Sequence, residues 1–166
     1  MIVLGIDPGL SLTGWGIIAS DGKNALSLIG YGCIKTGSNL QLCERLKIIN
    51  HTIRELVRLN KPEVMAIEEL FFAKEAKTVA SVGQARGAIL LAAVDENLPV
   101  HEYNPRKVKI ALTGYGAADK NQIQHMVQKL LGLKEIPKPD DAADALAIAM
   151  CHLNTNRYNV MIGTAI

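Results

Sequence analysis

IVLGIDPG, residues 2–9, decides how the rest of the chain reads. Ile2 to Asp7 reads as a strand, apolar up to its last residue, and Pro8-Gly9 stops it with residues that favour turns. A run with no polar alternation predicts a strand buried in the sheet rather than one wetted on a face. Working outward, TGWGIIAS (13–20) predicts a second strand, Asp21-Gly22 a hairpin-type turn, and residues 25–35 a third strand. The domain therefore opens as an antiparallel meander. Leu42, Leu46, Ile49, Ile53 and Leu56 keep helical spacing, so a helix is expected over 40–59, ended by Lys61-Pro62. Val64 to Glu68 is a short apolar strand of the kind buried in an α/β sheet.

Residues 74–96 predict a second long helix with a small-sided face that includes Ala80, Gly83, Gly87 and Ala92. Glycine inside a helix costs about 1 kcal/mol relative to alanine. That face suits close approach of another backbone, either within the fold or across a subunit interface. Leu98 to Tyr103 is a fifth strand, and 113–118 (TGYGAA) a glycine-containing loop. Ile123, Met126, Val127, Leu130 and Leu131 mark a further helix, and residues 141–153 the last one. This order of elements predicts an α/β fold, a mixed five-stranded sheet flanked by helices. One domain is expected over 1–153, followed by a tail, 154–166, with weak signals and expected disorder.

The chain's 166 residues, 49% hydrophobic and only 4% aromatic, suffice for one domain whose core is filled by Leu, Ile, Val and Ala. A net charge of +2 does not by itself announce nucleic acid. Between His101 and Pro139, however, seven basic residues face three acidic ones, consistent with a positive face or with an ordinary solvated helix surface. Cys33, Cys43 and Cys151 are far apart and make no ligand pattern with His51, His101, His125 and His152, which argues against zinc. The first apolar run has no basic leader, and no apolar stretch reaches membrane-spanning length. The expectation is a cytoplasmic protein with reduced thiols.

Four acids sit at the ends of apolar elements: Asp7 after the first strand, Glu68 after the fourth, and Asp141 and Asp144 at the opening of the last helix. An ionised carboxylate in such a place is costly unless compensated. A shared pair of hard divalent cations would compensate all four. Each also has a plain structural reading. Asp7 can bond its own turn. Of Glu68 and Glu69, strand alternation sends one inward without saying which. Asp141 can cap the helix, with Asp144 in the capping-box position, yet residues at i and i+3 also present side chains together on one helix face.

The segments GIDPGLSLTGWG (5–16), AIEELFFAK (66–74), GQARGAIL (83–90), HEYNPRKVK (101–109) and DDAADALAIA (140–149) together resemble the RuvC family of Holliday junction resolvases, in the RNase H-like superfamily, from residue 1 to about 153. The resemblance implies catalytic and metal-binding acids at Asp7, Glu68, Asp141 and Asp144, with Asp140 an additional neighbour. It places the junction-inserting aromatic at Phe71, with Phe72 adjacent, and DNA-contacting lysines at Lys109 and Lys120. It further implies two Mg²⁺ per active site, with Mn²⁺ as a substitute, a homodimer with its interface near Gly83 and Gly87, four-way junction DNA as substrate, and work alongside the RuvA–RuvB branch-migration complex. Two other classes compete. Asp7-Pro8-Gly9 followed by Thr13-Gly14 is similar to the first phosphate loop of sugar-kinase and actin-like ATPases, but those need two lobes and this length holds one. A non-catalytic junction-binding module would have no need of all four acids.

Overall fold

The structure, a computed structural model, describes residues 1–22, 25–69 and 76–161, apart from the side chains of 76–78 and 157–161. Strand β1 (Ile2–Asp7) pairs antiparallel with β2 (Leu12–Ser20), and β2 with β3 (Leu26–Lys35). On its other side β1 pairs in parallel with β4 (Val64–Glu68), which pairs in parallel with β5 (Val100–Tyr103). The sheet is mixed and five-stranded, in the order β3-β2-β1-β4-β5. Its most apolar strands, β1 and β4, lie side by side near the middle, as their unbroken hydrophobic runs require.

Helices cover both faces. α1 (Leu42–Asn60) and α2 (Ala76–Asp95) pack on one, where Leu4, Ile6, Ile17, Met65 and Ile67 meet Ile49, Ile53 and Ile89. α3 (Pro105–Thr113), α4 (Lys120–Leu130) and α5 (Asp140–Met161) pack on the other, where Val3, Ile18, Val64 and Ala66 meet Val108, Ile123, Leu146 and Met150. Strand alternation then assigns the acids. Asp7 is in phase with Val3 and Gly5, and Glu68 with Val64 and Ala66, so both belong to the α5 face. Glu69 lies beyond the strand and is exposed.

α5 can lie close on the sheet because glycine stands under it. A Cβ on Gly5 would be 2.1 Å from the Ala145 carbonyl oxygen, and one on Gly14 would be 2.0 Å from that of Asp141. The alanines that make α5 look featureless, such as Ala142, Ala145 and Ala149, are fully buried at this contact.

Three elements differ from expectation. α3 falls where the sequence predicts no element, between the fifth strand and the 113–118 loop. Its start is well signalled, because Asn104 Oδ1 accepts from the Arg106 amide at 2.9 Å and Pro105 occupies the first turn. α5 begins at Asp140, which places Asp141 inside the first turn rather than at the cap, and it continues to Met161, past the expected end at Leu153. β5 begins at Val100, since Leu98 is still in the turn from α2, its amide bonded to the Ala93 carbonyl at 2.9 Å. Residues 162–166 of the tail lie outside the described residues.

Candidate active site

The turn after β1 is rigidly held. The buried Thr13 hydroxyl donates to the Gly9 carbonyl at 2.6 Å, and Arg45 of α1 donates to the Ser11 and Thr36 hydroxyls at 2.7 and 2.9 Å. Asp7 is thereby presented at the carboxyl end of its strand. Parallel pairing of β1 with β4, whose last rung joins Ile6 to Ile67, puts Glu68 beside it. α5 crosses from the opposite layer and brings Asp141 over Gly14 and Asp144 one turn further on.

The four acids share one electrostatic field. The Asp7 carboxyl is raised from 3.8 to about 8, first by burial, then by the charges of Glu68, Asp144 and Asp141, with a side-chain hydrogen bond to Glu68 adding to the shift. Without a cation, burial and the neighbouring carboxylates therefore favour the protonated form of Asp7. Asp144 is also raised, first by burial, against which Lys120 pulls downward while Asp141 and Asp140 push up. Cys33, opposite Gly14 on β3, reports the same field: burial first, then Asp141 and Asp7, lifts its thiol to about 11.

A cleft of about 210 Å³ opens over this group, with Asp7, Glu68, Asp144, Lys109 and Lys120 on its polar side. Val108, Ile123 and Ile148 are among its apolar walls. Both lysines expected near the acids are thus in the cleft. Lys120 Nζ lies 3.1 Å from Asp144 Oδ2 and 3.4 Å from Asp140 Oδ2. Burial alone would lower the Lys120 ammonium, but the hydrogen bond and charge of Asp144, then of Asp140, raise it above its ordinary value. Asp140 is therefore an outer partner of Lys120. Phe71 and Phe72 lie outside the described residues.

All four acids offer hard oxygen donors, the kind that Mg²⁺ takes. Among the described residues no group of three acids, histidines or cysteines is already arranged around one point. Such an ion would complete its shell with water and phosphate oxygens, for which the cleft has room. Asp7, Glu68 and Asp144 line one cleft, with Asp141 on the adjoining turn of α5, so the donor set fits a divalent cation.

Reading the sequence missed residues that act indirectly. Gly5 and Gly14 admit α5. His152, expected on an ordinary helix, is buried with Nδ1 2.9 Å from the Tyr103 hydroxyl and ties α5 to β5. Arg86 reaches the carbonyl of Glu68 from α2. The signals were present in GIDPG, TGWG and GQARG, but a close approach shows only once the facing element is known.

A mixed five-stranded sheet with acids on its two central parallel strands and on the helix laid across them is the arrangement of an RNase H-like protein with a carboxylate site. The chain belongs to the RuvC family: the family described as "Crossover junction endodeoxyribonuclease RuvC" matches residues 3–152. The protein of that name from Endomicrobium trichonymphae is 57% identical over 159 residues, covering 96% of this chain and 84% of that protein. The one from Caldicellulosiruptor saccharolyticus is 54% identical over 153 residues, covering 92% of each. The structure of Thermus thermophilus RuvC in complex with Holliday junction substrate superimposes with a TM-score of 0.91 at 40% identity, covering 99% of this chain and 98% of that one. The yeast mitochondrial Holliday junction resolvase Ydc2 shares the fold, with a TM-score of 0.68 at 13% identity over 98% of this chain and 82% of its own.

Proposed function

We propose that this protein resolves four-way DNA junctions in recombination and repair. It would make paired symmetric nicks by Mg²⁺-dependent hydrolysis that leaves 5′-phosphate and 3′-hydroxyl ends. The observation that carries this reading is the meeting of Asp7, Glu68 and Asp144 with Lys109 and Lys120 in one cleft of a chain that belongs to the RuvC family. A protein with no use for a cation would gain by replacing one of these acids.

Asp7, Glu68, Asp141 and Asp144 would hold two Mg²⁺, for which Mn²⁺ should substitute. The bound ions would lower the pKa of the attacking water and stabilise the leaving 3′ oxygen. A bound cation would favour the ionised form of Asp7. Lys109 and Lys120, on the cleft wall, orient the scissile phosphate and offset its charge. Val108, Ile123 and Ile148 limit water in the cleft, which strengthens these interactions. Phe71 would act as the wedge at the crossover, on the strength of the family resemblance.

Two further parts of the proposal concern partners. A two-fold homodimer would give one site for each of two symmetry-related strands. Gly87, Leu91 and Val94 lie along one exposed stripe of α2, Leu91 58% and Val94 69% exposed, and supply an apolar surface for it. The RuvA–RuvB complex would deliver the junction in the cytoplasm. No described helix is long and apolar enough to cross a membrane.

The test is cleavage of a synthetic four-way junction with Mg²⁺, with Mn²⁺ and with EDTA. Paired nicks that need the metal are expected, and Asp7→Asn should bind the junction without cutting it. Cleavage indifferent to EDTA, or ATP hydrolysis in the absence of DNA, would remove this reading.

A further inference from the structure

Arg86 stands in the middle of α2, on the face opposite the cleft, and is only 12% exposed at its side chain. Its Nε donates to the Glu68 carbonyl at a long 3.4 Å. Its Nη2 is 2.7 Å from Glu102 Oε1 on β5. That ion pair is close in distance but off-line in angle, so the buried Nη2 makes no hydrogen bond. A guanidinium sunk this far with a donor unmet is a cost to the fold. What it reaches explains why it is kept. Glu68 ends β4 one residue beyond the last rung joining β4 to β1, and on the β5 side it pairs with Tyr103. The Glu69 amide donates to the Tyr103 carbonyl at 2.9 Å, and the chain leaves the sheet there. The carboxylate expected to face the metal therefore stands on the last residue of the strand, whose carbonyl Arg86 reaches from α2.

We propose that Arg86 is a positioning residue of the acidic site: from α2 it clamps the end of β4 to β5, through the Glu68 carbonyl and Glu102, and so fixes where the Glu68 carboxylate meets Asp7. Arg86 touches neither metal nor DNA in this role. Its effect passes through the backbone of Glu68, as the outer partners of metal ligands commonly act on their ligand. The proposal rests on the reading of Glu68 as part of the nuclease site.

The test compares full-length Arg86→Ala and Arg86→Lys with Arg54→Ala. The last breaks the ion pairs of Arg54 with Asp95 and Glu96 far from the cleft and calibrates a general loss of stability. In metal-free protein, hydrogen exchange at the Glu69 amide should quicken about tenfold in Arg86→Ala, beyond any change in Arg54→Ala, as one lost hydrogen bond and ion pair would cause. Mn²⁺ affinity without DNA, by calorimetry, and the Mg²⁺ concentration giving half-maximal junction cleavage should both weaken on the order of 10–100-fold. Junction affinity in EDTA should stay within about twofold, since no phosphate contact is lost. Arg86→Lys should recover part of each loss, because an ammonium can keep one of the two partners. Exchange at Glu69 and Mn²⁺ affinity that match Arg54→Ala would overturn the proposal. So would metal-free junction binding that falls as far as cleavage, which would make Arg86 a DNA contact. If the wild type neither binds Mn²⁺ nor cuts the junction, it is the nuclease reading that fails, and the exchange comparison still decides whether Arg86 clamps the strand end.

Discussion

Asp7 makes the metal-free protein less stable than its fold would otherwise be. Its carboxyl stands at about 8 against an ordinary 3.8, mainly because of burial and then because of Glu68. Between those values the folded state binds more protons than the unfolded one, so this group's share of stability falls as pH rises from about 4 to 8. Asp7→Asn removes the penalty. Without metal, the variant should gain on the order of 2–5 kcal/mol over wild type at pH 8 and little at pH 4, while losing cleavage. Thermal unfolding in EDTA at the two pH values checks this, and an advantage independent of pH would exclude the charge as its cause. Mg²⁺ should raise the wild-type Tm and narrow the gap, because the ion relieves the same repulsion. His152 carries the opposite sign. Burial, then His101, lowers it from 6.5 to about 4, so the unfolded state binds more protons in that window and stability falls as pH drops through it. An NMR titration should find His152 charging only near pH 4. At this scale the acids were legible because carboxylates at the ends of apolar runs are conspicuous. His152 and Arg86 were not, because a single polar residue in an apolar helix looks alike whether or not it finds a partner.

α5 lies close over the strand that carries Asp7 because β1 and β2 offer it Gly5 and Gly14 at the contact. Gly14→Ala would put a methyl group 2.0 Å from the Asp141 carbonyl oxygen, where only backbone can give way. α5 would have to lift at the turn that carries Asp141 and Asp144. The expected result is a loss of roughly 1–3 kcal/mol by urea unfolding, together with loss of cleavage even where the variant is still folded. Gly87→Ala is the contrasting case. A Cβ there meets nothing within 4 Å, so the monomer should gain about 0.5–1 kcal/mol from reduced backbone freedom. This also bears on the two explanations of the small-sided α2: at Gly87 nothing among the described residues comes within 4 Å of an added Cβ. Element order was legible in the sequence because strand and helix periods differ sharply between residues 2 and 68. α3 escaped because nine residues carrying buried Val108 and Leu112 give only one helical repeat, and its Asn104-Pro105 start resembles a turn. The reach of α5 beyond Leu153 escaped because polar residues such as Asn154 and Asn156 break the apolar stripe without breaking the helix.

For the whole molecule, on the proposed function one acidic site would make one cut, and a junction needs two. Leu91 and Val94 of α2 are exposed on the layer away from the cleft, in line with Gly87. Pairing two copies through this stripe would bury apolar surface that water otherwise contacts and would leave both clefts open to DNA. Val94→Lys adds a charge to the stripe without touching any residue of the cleft. In the proposed dimer that charge would be buried against its symmetry copy, and like charges opposed across a two-fold axis cost several kcal/mol. The variant should therefore sediment as a monomer at concentrations where the wild type is a dimer. Its folding should be nearly unchanged, since a surface substitution away from packed features usually shifts stability by less than about 0.5 kcal/mol. Each monomer keeps its four acids and both lysines, so nicking of single strands should persist. What should be lost is coupling, with singly nicked junctions accumulating before any second cut. A supercoiled cruciform plasmid reads this directly, because nicked circles come from one cut and linear molecules from two. If Val94→Lys still gives linear product at the wild-type ratio while sedimenting as a monomer, paired cleavage does not depend on this surface. If it remains a dimer, the subunits meet elsewhere.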